Sequence, residues 1–451
     1  MVVILACLIA LTMASTTVCA ADDRTLQIAA EIERLAGERI LWPGYDPLAI
    51  PVAIYDGERT LLFRHPSMPA GFAPLTDATP DVLVHPGRHP AVTANSSAEI
   101  GGTMTATLLA DGPRAASTAT ELAAVALHEA FHVFQRQHHP GWSGNEGDLL
   151  LYPTEDARLL TLRRLESAAL RRALADAEHA ACWARQALAF RRERFAAMDS
   201  AFSRYERLTE LNEGLATYVQ LQAAGKHGVH IPEKEWRPAE IRLRTYAIGP
   251  ALGFLLDRFA PGWKQSLETE DGQFLDEVLE ASLRDTSTTA PCSLPADEIA
   301  AIERRARADA GAVVTERTTR RVAFDARTGW RVVVLAAATH PLWPQGFDPL
   351  NVERVTGGLL HARMLQLQND SGAVHVIDEA GADIEALTEG AGAHPLFNGV
   401  RRLEITGLQR PKVTRDAGKI SLRAAGLIAD FDAATVHEDA VAQRIEIQLS
   451  R

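Results

Sequence analysis

Apolar positions recur every three to four residues along some stretches of this 451-residue chain and every two along others. The change of period predicts where helices give way to strands. Leu26, Ala29, Ile32 and Leu35 form one stripe, which predicts a helix over 22–39. The run IPVAIYDGERTLLFRHP predicts a hairpin with Asp56-Gly57 at its turn, and 81–86 and 91–111 supply further strands. A helix is expected over 118–137, because Thr118 is followed three residues later by Glu121 and no Gly or Pro interrupts the run. Between 155 and 207, Leu and Ala keep helical spacing while Arg and Glu alternate as on a solvated face; two helices are expected there. Further helices are expected over 208–224, 242–259 and 296–310. From Val313 onward, short alternating segments such as RVVVLA and RRLEITGL predict strands. The fold class that follows is α+β: an N-terminal α/β portion over 21–111, a mainly helical part over 112–310 and a mostly β C-terminal domain over 311–451. One short echo, Leu41-Trp42-Pro43 against Leu342-Trp343-Pro344, is too little to indicate a duplication.

Composition narrows the partners. Hydrophobic residues make up 47% of the chain, enough for a sizeable core, and the net charge of −12 argues against nucleic acid or an anionic membrane as the main partner. Residues 1–20 carry no charged side chain. Their apolar run from Val2 to Met13 is too short to span a bilayer, and Val18 and Ala20 precede a suitable cleavage point. That reads as a signal peptide, so the mature chain is expected to be exported, periplasmic or secreted, with no membrane span. Of four cysteines, Cys182 and Cys292 would remain after cleavage, either paired or as two lone thiols.

Candidate chemistry lies inside the 118–137 helix, at His128-Glu129-Ala130-Phe131-His132. Side chains four apart on a helix lie roughly 40° apart around its axis, so two imidazoles can reach one metal ion. Glu129 borders the same face, where a carboxylate can take a proton from a metal-activated water. A catalytic zinc takes three protein ligands, and two candidates offer the third. His138 follows His128 by ten residues, as in the outline HExxHxxGxxH of the metzincins, but Gln135 stands where that outline has its helix-breaking Gly. With the helix continuing, His138 points roughly 240° away from His132. The other candidate is Glu213, in Leu211-Asn212-Glu213-Gly214-Leu215-Ala216.

That second stretch resembles the Asn-Glu-Gly-x-Ala helix of the gluzincin peptidases, in particular the aminopeptidase-N-like and glycyl-aminopeptidase-like group. The resemblance implies a thermolysin-like catalytic domain, one zinc per chain held by His128, His132 and Glu213, and Glu129 as the general base. Tyr246-Ala247-Ile248-Gly249 before an apolar helix resembles the group's Tyr-x-x-Gly, which implies that Tyr246 stabilises the oxyanion. Thr217 and Glu210, each one turn from Glu213, are candidates for orienting a ligand histidine.

The resemblance rests on short motifs within about residues 98–260. Two departures stand out. Gly102-Thr103-Met104-Thr105-Ala106 has Thr and Ala where the aminopeptidases have Glu and Asn to anchor a free amine, though such a strand is still expected to pair with an extended peptide. The 81 positions from His132 to Glu213 are also more than in aminopeptidase N. The function implied is an exported zinc-dependent metallopeptidase acting on a peptide or protein substrate. The alternative is a catalytically inactive envelope protein on the same scaffold, binding peptide or glycan through its β domain.

Overall fold

A computed structural model describes residues 23–75, 82–284, 292–377, 383–390, 392, 394–432 and 434–450. The segment expected to be a signal peptide lies outside the described residues. The chain is an α+β protein that divides into two compact units, each assembled from separate stretches. Among the described residues, no helix is long and apolar enough to cross a membrane.

The first unit draws on Met1–Ser143, Arg207–His230 and Thr245–Thr286. Its sheet has six strands: β1 (Val52–Tyr55), β2 (Arg59–Phe63), β3 (Ala73–Pro74), β4 (Val82–Pro86), β5 (Ser96–Ile100) and β6 (Thr103–Leu109), in the order β3-β4-β2-β1-β6-β5. β1 and β2 pair as a hairpin, with Asp56 accepting from the amides of Glu58 and Arg59 and Gly57 at φ +107°. That is the role of Asp-Gly in a tight turn: a carboxylate mimics the backbone acceptor and a residue without Cβ takes the left-handed position. Ala53, Leu62, Phe72, Leu83, Val92 and Ile100 form one apolar cluster of this sheet.

Two helices, α1 (Arg24–Glu38) and α2 (Ala119–His138), pack against each other, and α2 also lies on β5 and β6. One expectation about the sheet changes. The stretch Gly102–Ala106 was expected to offer its backbone to an extended peptide, but β6 pairs with β1 on one side and β5 on the other. Its ladder is filled on both edges, and the strand at the edge of the sheet is β5.

The second unit comprises Gly144–Glu206, Ile231–Arg244 and Ser287–Arg451. Helices Ala157–Ala175 and Ala180–Ala196 pack as a pair, and Cys182 is disulfide-bonded to Cys292. Here the charge pattern misleads. Arg163, Arg164, Glu166, Arg191, Arg194 and Glu206 were expected on a solvated face, yet all are buried. Arg194 bridges Glu166 and Glu206, and Arg191 and Arg244 also bind Glu166. Burial alone would raise the Glu166 carboxyl; Arg244, Arg194 and Arg191 together hold it well below the usual range.

Helix Ala296–Asp325 continues through the stretch where strands were expected from Val313. Its β-branched residues have weak helix propensity, but Phe324 is fully buried and Arg320 and Arg321 pair with Glu353, Glu385 and Glu389. Strands then run from Trp330 to Leu449 in sheets of seven and six. Trp330–Leu335 lies within the larger sheet, parallel to Arg444–Leu449 and antiparallel to Val400–Leu408. Alternate residues of both sheets, Val332 and Val334 from the larger and Leu365, Leu367, Val374 and Val376 from the smaller, form one shared apolar core. The short sequence echo has different fates: Trp42 is fully buried, while Trp343 is 45% exposed.

Candidate metal centre

Helix α2 starts at a closed capping box: the Thr118 hydroxyl accepts from the Glu121 amide at 3.2 Å, and the Glu121 carboxylate accepts from the Thr118 amide at 2.9 Å. The helix is buried nearly all round from Leu122 to Gln135, so its position is set by packing on every side. Trp42, Tyr45, Phe131 and Phe134 meet in edge, tilted and stacked contacts at 5.2–5.6 Å, and Tyr45 donates to the Leu127 carbonyl at 2.9 Å, next to His128.

The facing element is one continuous helix from Ser200 to Ala223, interrupted by a π-helical turn at Glu210–Gly214. Such a turn fits an extra residue into the helix and is frequent at functional sites. Glu213 sits on it. Helix Ile241–Phe259 crosses the turn with Gly249 against Gly214: a Cβ added to Gly249 would fall 2.5 Å from the Gly214 Cα and 2.9 Å from the Glu210 carbonyl oxygen. Only two glycines permit that approach. It brings Tyr246 close enough to hydrogen-bond Glu213. The Tyr246 ring is parallel to that of His128, with centroids 6.3 Å apart.

The His128 and His132 Nε2 atoms are 3.1 Å apart, and one Glu213 carboxylate oxygen lies 3.2 Å from His132 Nε2 and 3.7 Å from His128 Nε2. For metal–ligand bonds near 2.0–2.1 Å in a tetrahedral site, donor atoms should stand about 3.3 Å apart. The three separations bracket that figure, so the donor set fits a metal ion. It is the one group of three or more such side chains among the described residues with donor atoms this close.

Electrostatics separate the two carboxylates. Burial pushes the Glu129 carboxyl up, with Glu213 adding to the effect and His128 and His132 opposing it. Burial would raise Glu213 as well, but the imidazoles of His128 and His132 beside it and the Tyr246 hydroxyl outweigh it and hold this carboxyl far below the ordinary range. One acid is thus held as an anion at the cluster, while the other is biased towards holding a proton.

His138 does not join the cluster. It stacks on Phe134 with centroids 4.3 Å apart, and its Nδ1 meets the Phe134 carbonyl at 3.0 Å. Thr217 turns its hydroxyl back to the Glu213 carbonyl at 2.8 Å, so it orients no histidine. Glu210 is buried on the π turn. The group that does meet a histidine is Gln135, whose side chain lies 2.8 Å from His132 Nδ1. Sequence reasoning treated Gln135 only as a residue that lets the helix continue. Its position three after His132, on the same helix face, was the signal available. Comparison with known protein families, with curated proteins and with solved structures gives no match.

Proposed function

We propose that the protein is an exported zinc-dependent metallopeptidase of gluzincin type. The observation that carries this reading is the convergence of His128, His132 and Glu213 on one point, with Glu129 buried beside it and Tyr246 bonded to Glu213. Two imidazoles and one carboxylate are a donor set suited to zinc in hydrolytic sites, which use three protein ligands and keep a fourth position open. When bound, the ion supplies a Lewis acid and makes water acidic near neutral pH.

The chain's own residues do the rest. Glu129 takes a proton from the attacking water and returns it to the leaving amine, a role favoured by its raised carboxyl pKa. The Tyr246 hydroxyl, whose one hydrogen goes to Glu213 in the resting site, exchanges that acceptor for the developing oxyanion during the reaction. The edge strand β5 (Ser96–Ile100) offers backbone groups to an extended substrate, with α2 packed on the same part of the sheet. The Cys182–Cys292 disulfide supports the export reading, since such bonds persist in oxidising compartments.

The test is metal content of the purified protein together with hydrolysis of a mixed peptide library. About one zinc per chain and chelator-sensitive cleavage are expected. Glu129→Gln should keep the zinc and lose about 100- to 10,000-fold in turnover, because an amide cannot accept the proton. A fully metallated Glu129→Gln protein with undiminished turnover sinks the mechanism.

A further inference from the structure

This inference rests on reading the His128, His132 and Glu213 cluster as a metal site, and concerns what holds that cluster in shape. Gln135 is 1% exposed and makes three hydrogen bonds. Its amide nitrogen lies 2.9 Å from the Leu211 carbonyl and 3.0 Å from the Asn212 carbonyl; its other terminal atom lies 2.8 Å from His132 Nδ1. Backbone carbonyls only accept, so the two of them fix the amide with its NH₂ group towards the turn. The Gln135 oxygen is therefore the atom that faces His132, and Nδ1 must carry the hydrogen that bonds to it. That leaves the lone pair on Nε2, the atom facing His128 and Glu213.

The same side chain acts on the other half of the cluster. Widening a helix into a π turn takes carbonyls off the regular ladder, and buried carbonyls need donors. Gln135 supplies one to each of the two residues before Glu213. Asn212 is tied down as well, its side-chain amide donating to the Trp142 carbonyl at 2.8 Å. His128 has no comparable support: its Nδ1 is buried without a hydrogen-bond partner among the described residues.

We propose that Gln135 is a positioning residue that locks His132 in its Nδ1–H tautomer and holds the Glu213 turn in π register, so that both halves of the cluster are set before any metal arrives. It touches no substrate. Supporting partners of this kind typically contribute about 10- to 100-fold in metal affinity.

The experiment uses the full-length chain and two variants. Gln135→Leu removes all three bonds; Gln135→Glu keeps an acceptor for the His132 Nδ1–H but cannot donate to the turn. The first readout is the tautomer of His132 in metal-free protein, by nitrogen NMR of histidine-labelled samples. Wild type and Gln135→Glu should show Nδ1–H, and Gln135→Leu a mixture of tautomers. The second is zinc affinity by chelator competition, expected to fall about 10- to 100-fold in Gln135→Leu and by less in Gln135→Glu. Circular dichroism and thermal melts establish that each variant is folded; if Gln135→Leu does not fold, the ranking of Gln135→Glu below wild type decides. A folded Gln135→Leu with an unchanged tautomer and unchanged affinity overturns the proposal. If wild type takes up no zinc, the metal reading fails instead, and the metal-free tautomer still decides whether Gln135 sets the ring.

Discussion

Gly214 and Gly249 meet backbone to backbone where two helices cross, and this contact lets Tyr246 reach Glu213. In sequence the two glycines belong to separate motifs, Asn-Glu-Gly and Tyr-x-x-Gly, 35 positions apart (249 − 214). In the fold they are one device. Gly249→Ala would place a methyl 2.5 Å from the Gly214 Cα, and neither partner is a flexible side chain that can give way. The helices must separate, at an overpacking cost of about 1–3 kcal/mol. The expected result is a lowered melting temperature together with a loss of turnover close to that of removing the Tyr246 hydroxyl. Undiminished turnover in a folded Gly249→Ala protein shows that the crossing does not set Tyr246.

Tyr246→Phe isolates the hydroxyl. A hydrogen bond made to an oxyanion only in the transition state acts on kcat and leaves KM nearly unchanged. The expected loss in kcat is about 100- to 1,000-fold, typical of removing one oxyanion donor, with metal content unaltered. Equal loss through KM assigns Tyr246 to substrate binding rather than to the transition state.

The elements that could be read locally are those with local causes. The β1–β2 hairpin needs only alternation and Asp56-Gly57, and α2 needs only Thr118, Glu121 and an uninterrupted run of helix formers. The His128–His132 pair is legible for the same reason, since both donors hang from one helix. What was missed depends on residues distant in sequence. An Arg or Glu every three or four positions looks the same whether it faces water or an opposite charge, so the buried network around Glu166 and Arg194 left no local mark. That β6 is interior follows from strand order, which a single strand's pattern does not encode. Gln135 illustrates both cases: its bond to His132 spans three residues, whereas its bonds to the Leu211 and Asn212 carbonyls span 76 and 77.

Acid should weaken the second unit through His361. This ring is buried in the β region, with Nε2 3.1 Å from the Thr388 hydroxyl, and burial pushes its pKa down from 6.5 to about 3. The unfolded chain takes up a proton near pH 6.5 and the folded one does not until about pH 3. Stability from this group is therefore complete above pH 6.5 and is lost as pH falls through that window, at about 1.4 kcal/mol per unit. His361→Leu removes the proton uptake, while the Thr388 hydroxyl keeps the Leu359 carbonyl as a partner at 3.3 Å. Urea unfolding at pH 7 and pH 4.5 should show a smaller drop for the variant than for wild type. Equal drops would mean that His361 is not the group responsible.

The two candidates for the third metal ligand predict opposite outcomes. Glu213 places a carboxylate oxygen 3.2 Å from His132 Nε2 and brings one negative charge to offset a dication. His138 is turned onto Phe134 and engages its carbonyl instead. Glu213→Ala should therefore lose more zinc affinity than the about 10- to 100-fold typical of a supporting partner, and should abolish hydrolysis. His138→Ala should leave both nearly unchanged, since it removes only the stacking on Phe134 and the contact with its carbonyl at the end of α2. Metal content by mass spectrometry, with folding followed by circular dichroism, separates the two. Zinc retained in Glu213→Ala and lost in His138→Ala would reverse the ligand assignment and, with it, the gluzincin reading of the site.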